Sequence, residues 1–266
     1  YHLVLLAENN QGYANLMKIV SRAFTEGYYY KPRVDYELLE TYHEGIIALS
    51  ACLAGEVQRN LARGMYEEGK KAALHYEQIF GKGNFFLELQ DHGIPEQQTV
   101  NMALLQMSRE LDIPLVCTND VHYTYAEDAK PHDILLCIQT GKTLDDPEHM
   151  HFETPEFYLK STAEMAALFA DVPEAVTNTA KIAARCHVEF QEGQIYLPKF
   201  SMEGVADCRK LFLQLCMNGL KKHYGEHPSP EVLERLRMEI SVITQMGYVD
   251  YFLIVWDYIN FARSHD

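Results

Sequence analysis

What this sequence lacks narrows its chemistry first. It has no apolar run near the ~20 residues needed to cross a bilayer; the best candidates, residues 45–55 and 251–256, are core-sized. It holds one Trp, and its six cysteines (Cys52, Cys117, Cys137, Cys186, Cys208 and Cys216) include no Cys-x-x-Cys pair. A disulfide framework is therefore not expected, and reduced thiols in a cytoplasmic protein are. There is no Gly-x-Gly-x-x-Gly, no Walker-type phosphate loop and no Gly-x-Ser-x-Gly elbow, which removes dinucleotide, P-loop and serine-hydrolase readings. No Asp-x-Asp occurs, so a local two-carboxylate Mg²⁺ site is missing. Basic residues are also scarce, 23 Lys and Arg against 38 Asp and Glu, for a net charge of −15. An acidic surface repels phosphate backbones at long range and makes a poor non-specific nucleic-acid binder.

The 266 residues, 47% hydrophobic and 23% charged, have ordinary globular composition and enough length for one large domain or two modest ones. The chain does not open on Met and reads as a piece of a longer protein. Over the first two-thirds, strand and helix signals alternate. Residues 3–7, 45–50, 84–90 and 114–120 are short apolar strands. Helical periodicity follows each, at 13–25, at 54–63 and 65–80, at 95–111 and at 127–138. Such alternation predicts a parallel sheet or barrel of βα units. Residues 140–158 read as an irregular connection. A capping box at Ser161–Glu164 and a Pro at 173 open two further helices. A linker is expected over 191–203 and helices throughout the remainder, with Ser229-Pro230 opening one of them and Gly247 closing it.

Asn119-Asp120-Val121-His122 is the most suggestive local feature. In an extended chain, residues i and i+2 point to one side, so a carboxylate and an imidazole at a strand end would share one focus. Oxygen and nitrogen donors together suit Zn, Mn or Fe. The alternative is an Asp that caps a turn and a His in a surface loop. Cys52 follows another strand, where a lone thiol is ordinarily core. Cys117 lies at odd spacing from Asp120 and is not counted as a ligand. His2 has no neighbouring partner. Glu88 and His92 flank a third strand end, with structural roles favoured. Lys31 and Arg33, in Tyr28-Tyr-Tyr-Lys-Pro-Arg33, could clamp a phosphate or simply be solvated.

Several strings together resemble one family. They are His2-Leu-Val-Leu-Leu-Ala-Glu-Asn with Gly12-Tyr-Ala-Asn-Leu, Tyr30-Lys-Pro-Arg, and Ala48-Leu-Ser-Ala-Cys-Leu-Ala-Gly-Glu56. Further on come Phe86-Leu-Glu-Leu-Gln-Asp-His-Gly, Thr118-Asn-Asp-Val-His-Tyr123, Phe157-Tyr-Leu-Lys-Ser, and Met246-Gly-Tyr-Val-Asp-Tyr-Phe-Leu-Ile-Val-Trp-Asp257. In this order they resemble the alpha subunits of bacterial DNA polymerase III, the replicative C-family polymerases. The resemblance implies that residues 1–195 are the C-terminal part of a PHP (polymerase and histidinol phosphatase) domain. Its fold would be a distorted seven-stranded, TIM-like β/α barrel lacking its N-terminal strands. Residues 196–266 would be a linker and the first helices of the polymerase palm.

By the same resemblance His2, Cys52, Asp120 and His122 match four of the nine metal ligands of the PHP family, the other five belonging upstream of Tyr1. The PHP ions would be Zn, Mn or Fe, and would support 3′→5′ exonuclease proofreading. Template-directed synthesis in the whole protein would use Mg²⁺, on aspartates beyond this chain. Implied partners are primer-template DNA, deoxynucleoside triphosphates, the sliding clamp and other replisome subunits, with no membrane. The chain alone is expected to be inactive. Two rivals are a stand-alone PHP phosphoesterase, acting on a substrate such as histidinol phosphate, and a non-catalytic PHP scaffold.

Overall fold

Asn9 begins the first helix because its side chain accepts from the Gly12 N–H, so the chain leaves its opening strand directly into helix. The computed structural model describes residues 1–194 and 196–265. The elements run β1 (Val4–Ala7), α1 (Asn10–Thr25), α2 (Tyr36–Tyr42), β2 (Ile46–Leu49), α3 (Glu56–Ala62), α4 (Tyr66–Phe80) and β3 (Phe85–Leu89). They continue with α5 (Pro95–Leu111), β4 (Leu115–Cys117), α6 (Ala129–Thr140), α7 (Thr162–Leu168) and α8 (Pro173–Arg185), then α9 (Cys208–Tyr224), α10 (Pro230–Gln245) and α11 (Val249–Ser264). Two compact units emerge, Tyr1–Phe190 and the chain from Gln191 onward. The boundary read at 195/196 touches residue 195, which lies outside the described residues. Among the described residues, no helix is long and apolar enough to cross a membrane.

The first unit is a mixed α/β structure. Its sheet has the order β1-β2-β3-β4, with β2, β3 and β4 parallel. β1 departs from the expected parallel arrangement: it pairs antiparallel to β2, Val4 opposite Leu49 and Ala7 opposite Ile46. The reason lies in the connection. One crossover helix returns the chain to the end where its strand began and makes the next strand parallel. Here the chain through α1 and α2 instead comes back to the end where β1 stopped, so that Ile46 starts β2 opposite Ala7. Among the described residues the sheet has four strands and is open, and a seven-stranded barrel is not seen.

Residues of β2 and β3 are buried on both faces, which explains why these strands read as unbroken apolar runs. Alternation then divides them. Ile46, Ala48, Phe85, Leu87, Leu89, Leu115 and Cys117 join the larger core with residues of α3, α4 and α5. Ile47, Leu49, Phe86 and Val116 face the other way, against Ile182 of α8. α1 lies so close to β2 that a Cβ on Gly12 would stand 1.8 Å from the Gly45 carbonyl oxygen. Arg185, at the end of α8, donates to Glu8 (2.9 Å), to the Gly83 carbonyl (2.7 Å) and to Asn84, tying the helix to the sheet.

In the second unit Ser229 and Gly247 bound α10 as the sequence places them, and Asp207 caps α9. Asp207 accepts from Lys210 N–H and Ser229 from Val232 N–H, while Gly247 at φ +74° follows the end of α10. Phe200, Phe212 and Leu253 form its small buried core, with Ile240 and Ile243 packed against them.

Candidate metal-binding site at the strand ends

The reversed direction of β1 has a direct chemical consequence. Its N-terminal end lies beside the C-terminal end of β2, so His2 meets the turn that follows β2. The His2 N–H donates to the Ala54 carbonyl at 3.0 Å, and the His2 imidazole Nδ1 stands 3.5 Å from Cys52 Sγ. A parallel β1 would have carried His2 to the far end of the sheet. Ala51, at φ +66°, bends the chain sharply so that the thiol turns back over the strand ends.

Glu88 of β3 holds this turn in place from beneath. Its carboxylate accepts from Ala51 N–H (3.0 Å), from Gln90 Nε2 (3.1 Å) and from the Thr118 hydroxyl, linking the turn after β2 to the end of β4. Glu88 is buried and no Lys or Arg pairs with it among the described residues. Burial pushes its carboxyl above the ordinary value of 4.5, and the Asp120 carboxylate adds to the rise. Burial likewise pushes the Cys52 thiol up, and Asp120 and Glu88 add to it. The Glu88 carboxyl and the Cys52 thiol therefore both resist ionisation here, burial being the larger cause for each.

Glu88 yields a pH prediction. A folded-state pKa raised above the unfolded one means that the native state holds the proton more tightly. The group's contribution to stability is full below pH 4.5 and is lost as pH rises through the folded value. Urea midpoints measured from pH 4.5 to 8 are expected to fall less for Glu88→Gln than for the parent. Parallel curves would show that the carboxyl does not titrate differently on folding.

Asp120 follows β4 at φ +42°, in the left-handed region, so the extended geometry assumed for Asp120 and His122 does not hold there. The loop is pinned instead by hydrogen bonds. His122 N–H donates to the Phe157 carbonyl (2.8 Å), and Nδ1–H of its ring donates to the Asp120 carbonyl (2.7 Å). That bond fixes the tautomer with a lone pair on Nε2, the state a metal-ligating imidazole needs. The ring itself packs among Phe152, Phe157 and His132 at 4.7 to 5.9 Å between centroids. Burial and His122 together lower the His132 pKa.

The four sequence candidates are thus placed unequally. His2 and Cys52 are in contact, Asp120 lies within electrostatic reach of Cys52, and His122 joins Asp120 through the main chain. Among the described residues, no group of three or more His, Cys, Asp or Glu side chains is close enough to hold a metal ion. The donor types and the clustered negative charge fit a borderline-soft divalent cation, while these residues alone do not complete its shell. Cys117, which was not counted as a ligand, is buried in the core. Arg33 lies over the Tyr29 ring, at 5.2 Å.

His92, for which a structural role was favoured, has one. Fully buried and stacked on Phe157 at 4.0 Å, it donates from Nε2 to the Asn119 carbonyl (2.7 Å) and accepts from Gln97 at Nδ1 (2.8 Å). It therefore positions the Asp120 loop. Only the turn string Asp91-His92-Gly93 hinted at it.

The open sheet, parallel over β2 to β4 and with polar side chains gathered at those strands' C-terminal ends, has the general form of a βα active-site scaffold. Comparison with known proteins specifies it. Residues 1–92 match the PHP domain family, and residues 210–266 match the family described as bacterial DNA polymerase III alpha NTPase domain. The chain is 45% identical over 267 residues to the DNA polymerase III subunit alpha of Treponema pallidum, covering 100% of this chain and 23% of that protein. Identity is 44% to the same subunit of Borreliella burgdorferi, over 100% of this chain and 23% of that protein. To the subunit of Campylobacter jejuni it is 39%, over 99% of this chain and 24% of that protein. The resemblance read from the motifs is borne out, and the chain belongs with the alpha subunits of bacterial DNA polymerase III. It spans about a quarter of the length of the curated relatives it matches.

Proposed function

We propose that the chain is part of a replicative polymerase subunit acting on primer-template DNA and deoxynucleoside triphosphates. In this reading residues 1–195 form part of a barrel-like PHP domain, and residues 196–266 lead into the palm. Polymerisation on Mg²⁺, and assembly with a sliding clamp and other replisome subunits, belong to the whole protein. The PHP part would bind Zn, Mn or Fe and support 3′→5′ exonuclease proofreading.

The observation that carries the metal reading is the meeting of His2 and Cys52 across the antiparallel β1–β2 pair, 3.5 Å apart. Imidazole, thiolate and carboxylate donors would come from His2, Cys52, Asp120 and His122, with further ligands from residues outside this chain. When bound, such ions supply a water of lowered pKa and charge to neutralise phosphate oxygens. The chain's own part is to present His2 from a strand, to hold Cys52 through Glu88, and to set the His122 tautomer through the Asp120 carbonyl. A stand-alone phosphoesterase fits less well, because the match to the polymerase family resumes over residues 210–266.

The test is metal analysis of the intact alpha subunit after exhaustive dialysis. Near-stoichiometric transition metal is expected, falling about ten-fold or more in Cys52→Ala and in His2→Ala. Metal-free protein from every preparation would leave the scaffold reading in its place.

A further inference from the structure

We propose that the loop of Tyr28, Tyr29 and Tyr30 is a stacking platform for single-stranded nucleic acid, a reading that does not depend on the metal site. Three consecutive tyrosines stand 60, 64 and 81% exposed, where none contributes to the core. Tyr29 and Tyr30 meet edge to face at 4.7 Å, and both remain exposed to solvent. Tyr30 is held at φ +60°, uncommon for a bulky residue, while Tyr29 N–H donates to the Lys31 carbonyl at 3.1 Å.

The cations around these rings favour a phosphodiester chain over a neutral partner. The Arg33 guanidinium lies 5.2 Å from the Tyr29 ring centroid. Among the described residues, neither Lys31 nor Arg33 has a carboxylate within ion-pairing distance. Arg33 also lines a cavity of about 270 Å³ together with Arg22. Carboxylates border the cavity as well: Glu26 pairs with Arg22 at 3.6 Å, Asp35 accepts from the Leu38 N–H at 2.9 Å, and Glu37 also lines it. The tyrosine loop itself, residues 28–33, carries two positive charges and no carboxylate, in a chain whose net is −15. Exposed aromatic rings beside unpaired cations are the combination that binds unstacked bases and their backbone. A duplex hides its base faces and cannot use the rings. A proline-rich peptide could use the rings but not the cations.

The test is fluorescence anisotropy of the whole chain with a labelled oligothymidylate of about 12 nucleotides, within the ~4–16 that one such platform spans. Saturable binding is expected, with a logarithmic salt slope of about −1.4 from Lys31 and Arg33. Tyr28→Ala with Tyr30→Ala is expected to weaken it by about ten-fold or more per ring lost, while Tyr30→Phe retains it. Arg33→Gln should make the slope shallower by about 0.7. Far-UV circular dichroism establishes that each variant is folded. The proposal is overturned by no binding, by unchanged affinity in the double variant, by equal affinity for a duplex, or by a proline-rich peptide that binds where the oligothymidylate does not.

Discussion

Asp120→Asn in the intact alpha subunit is expected to reduce metal-dependent primer degradation by about 100-fold or more, while template-directed extension stays within about two-fold. The expectation follows from what the side chain does. Asp120 has no cationic protein partner among the described residues, yet it stands close enough to Cys52 and Glu88 to raise both pKa values. Removing its charge takes away an anionic donor without disturbing the fold. The main-chain carbonyl that orients His122 remains, and so does the His92 bond that holds the loop. Asn is nearly isosteric, so a loss of activity would report charge rather than shape. Primer degradation and extension should be followed on the same preparation with added Mn²⁺ or Zn²⁺. Unchanged degradation would refute the role assigned to this carboxylate, and a parallel loss of extension would indicate a folding defect instead.

Gly12→Ala carries the second large effect, on stability. The added Cβ would lie 1.8 Å from the Gly45 carbonyl oxygen and 2.5 Å from its carbonyl carbon, both backbone atoms. No rotamer change relieves such an overlap; α1 must separate from β2. Gly45 cannot yield easily, because it sits at φ +72° with the Asn9 side-chain oxygen packed against it. Overpacking of flexible side chains costs about 1–3 kcal/mol, and backbone against backbone should cost at least the upper end. That is a large share of the roughly 5–15 kcal/mol by which a domain is stable. Gly219→Ala supplies the control, because a Cβ there meets nothing within 4 Å inside α9. It is expected to be neutral or to stabilise by up to about 1 kcal/mol. Urea unfolding of both variants checks the pair, and similar midpoints would sink the steric argument.

Much of the site was legible because its signals are local. Apolar runs bounded by turn residues located all four strands, and Asn119-Asp120-Val121-His122 stood out as donors at a strand end. The spacing argument also separated Cys117 from Asp120, and Cys117 is in the core. Its premise of an extended chain through His122 failed, because one left-handed residue at 120 breaks the period-two alternation. What joins Asp120 and His122 is a ring-to-carbonyl hydrogen bond that residue spacing does not announce. Glu88 was noticed as a residue that could reach the opening. Its actual task, clasping the turn after β2 to the end of β4, depends on the order of strands in the sheet.

By itself the sequence determined the family, the places of the strands and of most helices, α2 excepted, and the donor types on offer, since motif, periodicity and residue chemistry are all written along one chain. The direction of β1 was decided only in three dimensions. The chain through α1 and α2 returns beside the end of β1, so β1 and β2 run in opposite directions, and that reversal brings His2 to Cys52, fifty residues away in sequence. Pairing direction depends on the path of the intervening chain as a whole, which no local pattern encodes.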